Sequence, residues 1–270
     1  MTGVVHRFAD VYVVAAATLG LDPLGRPVPD DELAAAITIR GARPLARAAR
    51  LGLGASLLAL GSGSLPPEPD PRAAIIFATR GASLVPLAEM AHVADTEGPA
   101  RVFPMAFPNT VASVHAGYLA TLLRRSGPAL TLCGPGAGLE ALLEGALLLA
   151  GRRSDDVLVV MADESLPGRP EAWAEGAVAL RLARCDGALD VSAGQSGRPP
   201  SPRLLAVAAA AHPDLLPQLT RSGPGSQARE VKGDLAAVAA VAESGVDSAV
   251  VLTGPLGVRG VASVLLATPG

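Results

Sequence analysis

The chain has 270 residues, of which 50% are hydrophobic, only 3% aromatic and 17% charged, and its 22 basic and 25 acidic side chains leave a formal charge of −3. That is enough chain for one large domain or two small ones with a sizeable core, and too apolar a composition for general disorder. A nucleic-acid surface is not expected, because the balance is mildly acidic and no basic run exceeds two residues.

In chain order, Val11 to Ala17 (VYVVAAA) predicts a buried strand. Asp30, Asp31 and Glu32 make an acidic helix start before an Ala/Leu stretch. A helical pattern over Ala42 to Leu60 stops at Gly61-Ser62-Gly63-Ser64, and Pro66, Pro67, Pro69 and Pro71 form a stiff connection. Ala73 to Ala78 (AAIIFA) is the next buried strand. Gly81-Ala82-Ser83 opens a helix to about Ala94, and Thr110 to Arg125 predicts another. A clean unit follows: strand Ala129 to Cys133, tight turn Gly134-Pro135-Gly136, helix Ala137 to Ala150. Val157 to Met161 is a further buried strand, with others expected at Gly176 to Leu182, Leu189 to Ala193, Ser248 to Thr253 and Val261 to Leu266. Ser196 to Pro202 and Ser222 to Ser226 are loops. Strands alternating with helices predict an α/β protein with a mainly parallel sheet.

Cys133 and Cys185 are too few for a disulfide framework or a metal cluster, which fits a reducing cytosol. The apolar stretch Leu139 to Ala150 contains Glu140 and Glu144 and is about 12 residues long, against the roughly 20 of a spanning helix. The N-terminal MTGVVHRFADVYVV lacks the pattern of a signal peptide. A cytoplasmic protein, with apolar surface partly covered by a partner, is the expectation.

The Gly-rich turn Cys133-Gly134-Pro135-Gly136-Ala137-Gly138 is the strongest local feature. Such an elbow suits a phosphate on a helix N-terminus or an activated nucleophile, yet it carries neither Gly-Lys-Ser/Thr nor GxGxxG spacing. Cys133 sits at the strand end, before the turn, and reads by default as an inert cysteine. His6, His92, His115 and His212 form no pair at metal-ligand spacing, and His115 in its apolar helix reads as a packing histidine. The residues alone present a scaffold without an assembled catalytic set, metal site or cofactor site.

An ordered series of segments nevertheless resembles the ketosynthase branch of the thiolase superfamily. It comprises Phe107-Pro108-Asn109-Thr110, Gly117, Gly127-Pro128-Ala129-Leu130-Thr131, Gly138-Leu139-Glu140-Ala141-Leu142, Val157 to Asp163 and Glu175-Gly176-Ala177-Val178-Ala179-Leu180. Val250-Val251-Leu252 and Gly257 to Leu265 are similar to the family's closing strands. The resemblance covers Asp10 to Ala193 and, more thinly, Glu230 to Thr268. It implies a thiolase-like layered α/β fold with mainly parallel mixed sheets. A ketosynthase-like N-terminal half over residues 1–195 would carry a shortened C-terminal half over 196–270, packed on it as one compact unit.

The family's nucleophile position falls on Pro135 or Gly136, neither of which can attack, and only an insertion and a deletion bring Cys133 there. The second catalytic histidine is matched by Lys232-Gly233-Asp234, with Asp234 the nearest counterpart, and the first by nothing. An acidic group there would not stabilise an enolate, which needs hydrogen-bond donors. This pattern resembles a chain-length factor, the non-catalytic β subunit of type II polyketide and aryl-polyene synthases. It implies a heterodimer with an active ketosynthase α subunit, contact with acyl carrier protein through that complex, and no cofactor. The resemblance puts a chain-tunnel gate at Leu84, Leu87 and Ala91, which share one helical face, and an interface at Phe107, Asn109 and Thr110. An active β-ketoacyl synthase or acyltransferase using Cys133, and a ketosynthase-like scaffold protein, remain alternatives.

Overall fold

The computed structural model describes residues 4–6, 11–20, 26–61, 65–165, 175–184, 203–210, 250–256 and 260–267. In chain order these form β1 (Val4–His6), β2 (Val11–Gly20), α1 (Asp30–Ala36), α2 (Arg47–Leu60), β3 (Ala73–Thr79), α3 (Leu84–Glu97) and α4 (Ser113–Leu122). They continue with β4 (Ala129–Cys133), α5 (Ala137–Ala150), β5 (Asp156–Asp163), β6 (Gly176–Arg184), β7 (Arg203–Ala210), β8 (Val250–Leu256) and β9 (Gly260–Ala267). Short 3-10 helices at Pro99–Arg101 and Pro104–Thr110 join α3 to α4. The helix predicted from Thr110 therefore starts later, at Ser113, because Thr110 ends the 3-10 segment and Val111 is extended, its amide bonded to the Pro108 carbonyl. The predicted strand Leu189 to Ala193, the loops Ser196 to Pro202 and Ser222 to Ser226, Cys185, His212 and Asp234 lie outside the described residues.

All the strands share one sheet of order β4-β3-β5-β6-β2-β7-β9-β8, with β1 paired to β7. The layered α/β class is as expected, but the parallel share is smaller. Among the described strands only β3 with β4 and β3 with β5 run parallel, whereas β1–β7, β5–β6, β6–β2, β2–β7, β7–β9 and β8–β9 are antiparallel. Continuous apolar runs such as Gly176 to Leu180 mark strands buried on both faces, and burial does not reveal direction.

Period-2 alternation divides the sheet between two cores. Ala74, Ile76 and Ala78 of β3, Val157, Val159 and Met161 of β5, and Val178, Leu180 and Leu182 of β6 pack with α5. Ile75 and Phe77, Leu158, Val160 and Ala162, and Ala177 and Ala179 face the opposite way, toward α1, α2 and α4. Helix α5 is apolar nearly all round, and it lies against the strands from β2 to β9. A helix of that kind needs to be enclosed rather than docked by one stripe.

Helix α2 approaches the sheet closely because Gly52 carries no side chain: a Cβ there would lie 2.9 Å from Phe77 and 3.0 Å from Val160. Gly117 of α4 faces open space instead, with nothing within 4 Å of its Cβ position. Gly52→Ala is expected to lower unfolding free energy by about 1–3 kcal/mol through overpacking. Gly117→Ala is expected to raise it by about 0.5–1 kcal/mol through helix propensity. Denaturant titrations of both variants check the pair.

Candidate functional site

The three parallel strands β4, β3 and β5 end together, at Cys133, Thr79 and Asp163. Carboxyl ends of parallel strands leave backbone groups and side chains converging outside the sheet, which is where open α/β sheets place ligands. Here most of that polarity is consumed internally. The Asp163 carboxylate is fully buried and accepts from the Thr79 hydroxyl at 2.7 Å, the Arg80 amide at 2.9 Å and the Gly81 amide at 3.2 Å. The Arg80 guanidinium lies 3.5 Å from its second oxygen. Burial pushes the Asp163 carboxyl upward, opposed by these donors. Thr79 in turn accepts the amides of Gly81 and Ala82 at 3.1 and 2.8 Å, and this fixes the turn into α3.

The elbow after β4 is held by the Gly134 amide donating to the Thr79 carbonyl at 2.9 Å. Gly134 and Gly136 have φ of 115° and 87°, with Gly136 left-handed at the N-cap of α5, and this backbone needs residues without a Cβ. Pro135 and Gly136 thus stand where the resemblance implies a nucleophile, and they offer only backbone. Cys133 is a free, exposed cysteine at the strand end. Partial enclosure, together with the nearby Asp163 carboxylate, pushes its thiol above the ordinary value, so little thiolate is present at neutral pH.

Beside the elbow, the Ser83 hydroxyl lies 3.1 Å from His115 Nε2. His115 is fully buried and packs against the Phe77 ring with centroids 5.4 Å apart. Burial lowers its pKa to about 4, so the imidazole is neutral.

The three expected tunnel residues, Leu84, Leu87 and Ala91, share the exposed side of α3; Leu84 and Leu87 are 43% and 49% exposed. Phe103, Met105, Phe107 and Val111 add further exposed apolar surface from the 3-10 segment and the residues flanking it on either side. The expected interface trio divides by role. Phe107 is 60% exposed. Asn109 turns inward, donating to the Pro44 carbonyl at 2.9 Å and accepting the Ala46 amide at 3.2 Å. The Thr110 hydroxyl donates to the Phe107 carbonyl at 2.7 Å. Asn109 therefore seats the 3-10 segment on the loop before α2, and Phe107 faces outward from it.

A second polar cluster, absent from the sequence reading, lies where β5 and β6 meet α2. Glu175 accepts from Arg47 at 2.8 Å and from the Val28 amide at 2.8 Å. Burial raises its carboxyl, but Arg47 and these amides together hold it below the usual range. Its neighbour Glu164 is nearly buried, and its Oε1 has no partner. Burial, then Glu175 and Glu89, push Glu164 up to about 7, against Arg47 and the Ala48 amide. Asp163 and Ser83 carried no sequence signal as polar contacts, because their partners lie on other elements, and Glu164 carried none because its neighbours Glu175, Glu89 and Arg47 are distant in sequence. Among the described residues no group of His, Cys, Asp or Glu could hold a metal ion, and no helix is long and apolar enough to cross a membrane.

No protein-family model and no curated protein matches this sequence. Solved structures do match in fold. The chain is similar to one in the ishigamide ketosynthase/chain length factor, with TM-score 0.67 and 16% identity over 97% of this chain and 100% of that one. A second match is to the type II PKS acyl-carrier protein in complex with its ketosynthase bound to the hexaketide (AntDE:AntF), with TM-score 0.75 and 13% identity over 98% and 100%. A third is to the ketosynthase ApeO in complex with its chain length factor ApeC from Xenorhabdus doucetiae, with TM-score 0.56 and 14% identity over 95% and 99%. The chain has the thiolase-like layered fold of these ketosynthase assemblies.

Glu164 sets a pH dependence. Its folded value near 7 stands above the ordinary 4.5, so the folded state binds the proton more tightly and stability falls as pH rises from about 4.5 to about 7. Glu164→Gln removes this contribution. Relative to wild type, the variant is expected to gain about 2 kcal/mol across that window, read by urea unfolding at stepped pH.

Proposed function

We propose that this chain is a non-catalytic chain-length factor. It pairs with an active β-ketoacyl synthase and shapes the tunnel for the growing acyl chain in type II polyketide, aryl-polyene or fatty-acid-like biosynthesis, in the cytoplasm. The observation that carries the reading is the elbow. A ketosynthase-like fold starts its enclosed helix α5 with Pro135 and Gly136, and the nearest thiol, Cys133, precedes the turn with a raised pKa. The partner would supply the nucleophile, the histidines and the contact with acyl carrier protein.

The surface supports the same reading. Leu84, Leu87, Phe103, Met105, Phe107 and Val111 expose more neighbouring large apolar side chains than a free surface favours. β4 is also the sheet's edge, a row of backbone groups open to another chain. A covering subunit would bury both, and two of the matched structures named above are ketosynthases with chain length factors. The exposure of Cys133 beside the start of α5 favours one second reading, an active acyltransferase that uses this thiol.

Co-expression with an active ketosynthase α subunit as the candidate partner is expected to give a co-purifying pair. In that pair Ala91→Phe shortens the product, whereas unchanged product lengths in an intact complex count against the tunnel role. Intact mass of the purified chain after incubation with an acyl-CoA separates the two readings: no adduct is expected, and acylation of Cys133 would establish the enzyme.

A further inference from the structure

Helix α3, which carries Leu84, Leu87 and Ala91, buries none of its own residues. It packs chiefly on the two 3-10 helices that follow it. The position of its apolar side therefore depends on how its first turn is fastened. Thr79 and Asp163 fix the chain as far as the Ala82 amide. Ser83 comes next, at the N-cap of α3. A serine there ordinarily caps a free amide of the first helical turn with its hydroxyl, but this one makes no such bond. Its hydroxyl turns to His115 Nε2, 3.1 Å away.

His115 is a firm anchor. It belongs to α4, which packs on β3 and β4, and its ring is fully buried against Phe77. Its Nδ1 has no partner, so Ser83 is the polar contact that the ring has among the described residues. From Ser83 the connection reaches the apolar side within one turn. Leu84 follows it directly, and the Leu87 amide donates to the Ser83 carbonyl at 3.1 Å. Movement of Ser83 carries both leucines with it.

We infer that the Ser83–His115 hydrogen bond is a latch between α3 and the core that positions Leu84, Leu87 and Ala91, so that both residues determine product length without touching the acyl chain; this rests on the tunnel reading above. A serine freed from His115 finds no amide on Pro86, the third residue of the helix, to cap instead. The first turn then loses its side-chain tie to the core, and the tunnel wall is no longer single-valued.

The test uses the complex with the co-expressed ketosynthase and two readouts, amide hydrogen exchange and product-length distribution. Ser83→Ala is expected to speed exchange in residues 84–90 at least tenfold while leaving β3 unchanged, and to cut the share of the longest product at least threefold. Ser83→Thr, which keeps the hydroxyl, is expected to restore both. If Ser83→Ala does not assemble, Ser83→Cys, a near-isostere with a weak donor, must give the same changes in smaller degree. Unchanged exchange in α3 overturns the latch. So does an unchanged product distribution where Ala91→Phe shortens the product, and in that case the tunnel reading stands. If neither Ala91→Phe nor Ser83→Ala alters the product of an intact complex, the tunnel reading falls and the latch's role falls with it.

Discussion

Two parallel strands that end side by side leave amides pointing out of the sheet with no ladder to receive them. At the ends of β3 and β5 the Asp163 carboxylate receives them, together with the Thr79 hydroxyl. A buried carboxylate is costly unless it is thoroughly hydrogen-bonded and paired, and the Arg80 guanidinium completes the pairing. The same Thr79 accepts the amides that start the turn into α3 through its hydroxyl, and the Gly134 amide of the neighbouring elbow through its carbonyl. One small knot thus sets the departure of α3 on one side and the seat of α5 on the other.

Composition follows from the packing around that knot. On the α2 side of the sheet, Ala162, Ala177 and Ala179 meet a helix whose Gly52 leaves no room for a methyl group. Such closeness favours small residues and leaves little space for aromatic rings, which accounts for a chain that is half hydrophobic and only 3% aromatic. Of four phenylalanines, Phe77 fills the core, while Phe103 and Phe107 are 66% and 60% exposed. Two of those few rings stand exposed around one segment, which is the surface the proposed partner would cover. Asn109 gives that segment its fixed seat through the Pro44 carbonyl and Ala46 amide.

Much of this was legible in the sequence, for local reasons. The runs at Ala73 to Ala78, Ala129 to Cys133 and Val157 to Met161 are apolar over strand lengths, and the Gly-Pro-Gly turn punctuates the third strand–helix unit. The antiparallel pairing of β5, β6 and β2 was not legible, because a strand buried on both faces looks the same in either direction. Strand β7, an alanine-rich run, carries no alternation to separate it from a helix. His115 was read as a packing histidine, and it is one; its tie to Ser83 spans 32 positions and leaves no trace in spacing. Asn109 entered as an interface residue through the resemblance, whereas its amide group holds the neighbouring loop from inside.

If the chain is the non-catalytic subunit proposed above, the elbow explains how a ketosynthase-like architecture persists without the chemistry. Gly134 and Gly136 hold positive φ, and the Gly134 amide bonds the Thr79 carbonyl, so the turn is part of the frame that seats α5. A helix that lies against the strands from β2 to β9 cannot lose its starting turn without disturbing the sheet. In the proposed reading a nucleophile would be a single side chain on that turn, and its absence leaves the frame intact, whereas loss of the turn would not. In the proposed role the geometry therefore persists for architecture, while selection acts on the exposed side of α3, where side chains can change without reaching the core.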